Sequence, residues 1–93
     1  MKCESNPQLV QYLGIHKRAL ENVAQINDQF SRNIQFSSQK KILANFVKKN
    51  ISDKAASDIL DYDETLESIN SAIDYVSRLI EAVENGELTL RPD

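Results

Sequence analysis

The sequence predicts an all-α protein, an elongated three- or four-helix bundle with long first and last helices. Three observations predict it. Glycine and proline occur only near the ends, at Pro7, Gly14, Gly86 and Pro92, so no strong helix breaker lies between Ile15 and Asn85. No stretch alternates apolar and polar residues in the manner of a half-buried strand, apart from "ELTLR" close to the end. The segment "ILDYDETLESINSAIDYVSRLIEAVENG" carries large apolar residues at Ile59, Tyr62, Leu66, Ile69, Ile73, Val76, Ile80 and Val83, a spacing that alternates three and four as one helix face requires.

Helix 1 is expected from Pro7 to about Asn33. Asn6 can cap it, and Pro7 suits the first helical position, where its missing N–H has no intrahelical partner to lose. Its seam reads Leu9, Leu13, His16, Leu20, Val23, Asn27, Phe30 and Ile34, flanked by Tyr12, Ala19 and Ile26. Asn27 in that seam resembles a polar residue that fixes the register of a self-associating bundle. Gly14 costs about 1 kcal/mol relative to alanine inside a helix and so points to a close helix contact or a bend.

The polar stretch "QFSSQ" is the expected break, with Ser37 or Ser38 capping a second helix over residues 38 to 50 whose apolar face is Ile42, Leu43, Phe46 and Val47. Ser52 then caps a segment carrying Ala55, Ala56, Ile59 and Leu60. Two readings of residues 53 to 85 stay open. Asp61 with Glu64 has the spacing of a capping box that starts a new helix at Tyr62, whereas the unbroken seam argues for one helix over the whole stretch. Gly86 supplies the C-terminal cap in either case.

The chain of 93 residues forms one domain, with residues 1–6 and 87–93 expected as flexible tails. Helices of these lengths span about 36 to 50 Å, against a diameter of about 32 Å for a compact sphere of this mass. A homodimer or a bound partner is therefore expected to cover part of the last seam. No apolar run reaches the roughly 18 residues of a membrane span, and the N-terminus "MKCESNPQ" lacks the apolar core of a signal peptide, so a cytoplasmic protein with no membrane association is expected. The single cysteine, Cys3, is read as a terminal thiol, and "NIS" at Asn50 to Ser52 as a chance match to a glycosylation sequon.

Charge is unevenly divided. Residues 1–50 hold eight Lys/Arg against three Asp/Glu, for +5, and residues 51–93 hold three against eleven, for −8. Catalysis has little to work with. There is one histidine, His16, and neither a second histidine nor a cysteine near it to share a metal, while the acids follow no calcium-loop or di-metal pattern. We expect no enzyme activity, no cofactor and no metal. The expected function is that of a small protein-binding module, of inhibitor, immunity, antitoxin or chaperone type, which occludes a basic surface on a partner through an acidic helix face. The residues expected to carry that contact are Glu64, Glu67, Asp74, Tyr75, Arg78 and Glu81. Tyr75 falls outside the seam among the short side chains Ser68, Ser71, Ala72 and Ala82, so its ring is expected to stand proud as a hot spot. The alternative is a helix-turn-helix regulator bound to nucleic acid through Lys40, Lys41, Lys48 and Lys49. An acidic reading helix repels phosphate, so nucleic acid is not the expected partner.

Overall fold

The computed structural model describes residues 7–87, which form four helices and no strand among the described residues. They are α1 (Pro7–Ala24), α2 (Gln29–Asn50), α3 (Asp53–Leu60) and α4 (Leu66–Glu84). Cys3, residues 1–6 and most of the expected C-terminal tail lie outside the described residues. The all-α class and its elongation are as the sequence predicts, with extents of 47 × 19 × 18 Å and a radius of gyration of 13.2 Å. The longest helix is α2, at 22 residues, and not the first or the last. The helices pack as α1 on α4, α1 on α2 and α2 on α3.

The expected first helix is in fact two. α1 stops at Ala24, and its last turn closes through Gln25 N–H to Asn22 O and Ile26 N–H to Val23 O. Asp28 then caps α2, its Oδ2 accepting from Ser31 N–H at 3.0 Å. Arg32 Nη1 donates to Ile26 O at 3.1 Å and ties the turn to the new helix. Ser37 and Ser38 cap nothing; α2 runs straight through them. The physical reason is Phe36, which is fully buried. A break at "QFSSQ" would take Phe36 out of the helix that carries it into the core, and burial of such a side chain contributes about 1.5 to 3 kcal/mol. Two serines in a helix interior cost only a few tenths each relative to alanine. The same change of register reverses two core expectations: Phe30 is 79% exposed and Ile34 65%. Asn27 lies exposed in the turn and sets no register.

The open question over residues 53 to 85 resolves as two helices. Ser52 caps α3 as expected, its Oγ accepting from Ala55 N–H at 3.1 Å. The cap of α4 is Thr65, whose Oγ1 accepts from Ser68 N–H at 3.1 Å. Asp63 Oδ1 accepts from both the N–H and the hydroxyl of Thr65, and hydrogen bonds from Ser68 and Thr65 hold the Asp63 carboxyl below its usual range. Asp61 caps the end of α3 instead, so the Asp61–Glu64 box does not form. The turn is fastened to α2 by Lys40 Nζ, which donates to Tyr62 O at 2.6 Å. At the far end Gly86 adopts φ 70°, Glu87 N–H donates to Ala82 O and Gly86 N–H to Val83 O. That pair of bonds satisfies two of the last carbonyls and needs a left-handed residue, which glycine supplies without strain.

One core unites the four helices. Leu9, Leu13, Leu20 and Val23 of α1 meet Ile69, Ala72, Val76, Leu79 and Val83 of α4, and Phe36, Leu43, Ala44 and Val47 of α2 meet Ala55, Ala56 and Ile59 of α3. Most of the seam that runs from Ile59 to Val83 thus serves the protein's own interior. Gly14 marks no close contact, since a Cβ there would meet nothing within 4 Å.

Candidate functional site

The acidic face forms as a ridge along α4. Glu67, Asp74 and Glu81 recur every seventh residue, so they stack on one side of the helix, and all three are exposed together with Arg78. Arg78 Nη2 donates to Asp74 Oδ2 at 3.1 Å across one turn, an exposed pair that adds little stability and locally neutralises the ridge.

Two of the expected contact residues are not on it. Glu64 belongs to the turn before α4, where its Oε2 lies 3.9 Å from Lys40 Nζ. Tyr75 does not stand proud. It is half-buried, its hydroxyl donates to Asp58 Oδ2 at 3.1 Å, and its ring centroid lies 6.2 Å from that of Tyr62. Burial, and then the Asp58 carboxylate, push the Tyr75 phenol up to about 12. The short neighbours that suggested exposure are there, but α3 and the turn after it fill the space above them. Tyr75 is a tie between α3 and α4, and the ridge lacks its expected aromatic anchor.

The structure supplies a mixed polar and apolar recess beside the ridge. Because α1 ends at Ala24 and α4 begins at Leu66, the last turns of one lie alongside the first turns of the other. They flank this shallow, solvent-open recess between the two helices. Leu66, Ile73 and Ala24 give it apolar surface, and Arg18, Glu21 and Asn70 are among its polar lining. Leu66 is 44% exposed. Asn70 lies one turn from both Glu67 and Asp74 on the helix surface, so recess and ridge share an edge. None of these recess residues is evident from the sequence, because a helix read through to Asn33 carries no end at residue 24. The signal that could have found it is the Asn27–Asp28 pair, two strong N-cap residues inside an apolar seam.

The remaining candidates are elsewhere. His16 is half-buried with its ring 5.4 Å from that of Phe46, and burial lowers its pKa. Lys41, Lys48 and Lys49 are exposed on α2, while Lys40 is turned inward over the Phe36 ring. Among the described residues no three His, Cys, Asp or Glu side chains gather as a metal site would need, and no helix is long and apolar enough to cross a membrane. The chain matches no protein-family model, and neither curated proteins nor solved structures match it.

Proposed function

We propose that this chain is a small protein-binding module with no catalysis of its own, which occludes a basic surface on another protein with the exposed flank of α4. The observation that carries the reading is the shared edge between a mixed recess, apolar at Leu66 and Ile73, and an acidic ridge that sets Glu67 and Asp74 alongside them. Charged rims steer encounter and set specificity, whereas desolvated apolar contacts hold a complex together. A basic segment of the partner bearing an apolar side chain fits both halves, the cations against Glu67, Asp74 and Glu81 and the apolar group over Leu66. Inhibitors, immunity proteins, antitoxins and chaperones all work by such coverage.

The test is capture by the immobilised chain from the native host's extract, repeated with Leu66→Ser and with Glu67→Lys/Asp74→Lys. All three positions are exposed, so the variants keep the helical circular dichroism of the parent. A basic protein retained by the parent and lost by both variants supports the reading. Retention unchanged in both variants refutes it.

A second reading rests on α2, which holds five Lys/Arg and no carboxylate, with Lys41, Lys48 and Lys49 exposed. A polyanion such as nucleic acid suits such a helix. The alternative helix-turn-helix is poorly served by an α3 of 8 residues and an α4 whose outer side is acidic. Fluorescence anisotropy with a mixed-sequence duplex is expected to give nothing tighter than the roughly 10⁻⁴ to 10⁻⁶ M of non-specific association.

A further inference from the structure

The outer face of the α1–α2 hairpin is apolar and uncovered. Phe46 of α2 touches Tyr12 and His16 of α1, with ring centroids 5.7 and 5.4 Å apart. Ile15 is one turn after Tyr12, and Ile42 is one turn before Phe46, so helical spacing sets both beside this ring cluster, and both are exposed. Tyr12, Ile15 and Ile42 are 50%, 56% and 49% exposed. Three large apolar side chains grouped around a fourth form a patch of the kind that marks an interaction surface.

We propose that a second copy of this chain covers that patch, α1–α2 against α1–α2 about a two-fold axis. The rim argues for this occupant. In a two-fold interface each side chain faces the same patch on the partner, so a rim of one charge sign opposes itself. Here most residues beside the patch on the two helices are neutral amides, Gln8, Gln11, Gln35 and Gln39, each able both to donate and to accept. Neither helix turns a carboxylate onto this side, which a base-bearing partner would need; the two cations at the rim, Arg18 and Lys49, are solvent-exposed, so salt screens their repulsion across the axis. Area agrees. Two adjacent helices give a face about 20 Å wide and, over α1, about 27 Å long, so each copy contributes about 500 Å². The total of about 1,000 Å² lies at the lower edge of specific interfaces, as expected of a weak, reversible dimer. This pairing is independent of the α4 flank, which it leaves displayed once on each copy.

Sedimentation equilibrium of the full chain at pH 7.5, from about 1 to about 300 µM, tests it. The mass is expected to rise from 10.6 kDa towards twice that value. Ile15→Ser with Ile42→Ser should weaken dimerisation by about tenfold or more, while Leu60→Ser, exposed on α3 outside this hairpin, should change it by less than about twofold. Raising salt from about 0.05 to about 0.5 M should leave the dimer unweakened, because no charge pairs cross the interface. Any of three results overturns the proposal: a monomer throughout, a dimer indifferent to Ile15 and Ile42, or a dimer that salt dissolves, which would indicate basic α2 meeting acidic α4 head to tail. None of these bears on the α4 flank, whose own capture experiment uses different residues.

Discussion

Phe30 and Phe36 lie six residues apart, and the two ways of folding residues 25 to 38 exchange their fates. A helix continuous to Asn33 buries Phe30. The turn at Asp28 exposes it by 79% and buries Phe36 completely. Phe36→Ala removes a fully buried ring, and such truncations cost about 3 to 5 kcal/mol through lost burial and the cavity left behind. A domain of this size has about 5 to 14 kcal/mol of stability in total, so the variant should be marginal. Unfolding entropy of about 0.2 kcal/mol/K for this length converts the loss to about 15 to 25 °C in Tm. Phe30→Ala removes little buried surface and should fall within about 0.5 kcal/mol of the parent. Urea unfolding followed by circular dichroism reads both. If Phe30→Ala were the damaging change and Phe36→Ala the tolerated one, the turn at Asp28 would be wrong, and the recess beside Leu66 with it.

Gly14→Ala should stabilise the protein by about 0.5 to 1 kcal/mol, since the position is helical and a Cβ meets nothing; a loss on thermal unfolding would indicate a hidden contact. Thr65→Ala should cost about 1 kcal/mol by uncapping α4, measured by urea unfolding, whereas Ser37→Ala should cost nothing, since Ser37 is no cap. Absorbance titration of the three tyrosines should reveal one phenol ionising near 12, and Tyr75→Phe should abolish that step. A phenol whose pKa is raised in the folded state stabilises fully below its unfolded value near 10, so this contribution should be lost as pH climbs from about 10 to about 12.

What could be read from the sequence was local. The seam of α1 from Leu9 to Val23, the caps at Ser52 and Gly86, and the exposed line of Glu67, Asp74 and Glu81 follow from helical period and from side chains that bond within four residues of themselves. What could not be read depended on contacts between elements. α2 carries apolar residues on both sides, Phe36 and Val47 inward and Phe30, Ile34 and Ile42 outward, so its periodicity points nowhere and the seam of α1 could be extended into it. Tyr75 sits among small neighbours on its own helix, and only α3 and the turn after it bring Asp58 and Tyr62 to cover it. The recess needs the end of one helix beside the start of another, and no window of residues contains both.

Whether partners are met on the flank of α4, where the recess and the ridge adjoin, is tested most directly by amide NMR. The labelled chain is titrated with the captured basic partner and followed residue by residue. Shifts are expected to concentrate at Leu66, Glu67, Asn70, Ile73 and Asp74, with Tyr12, Ile15 and Ile42 undisturbed. A footprint on Tyr12, Ile15 and Ile42, or on Lys41, Lys48 and Lys49, with residues 66 to 74 unmoved, would contradict docking on α4.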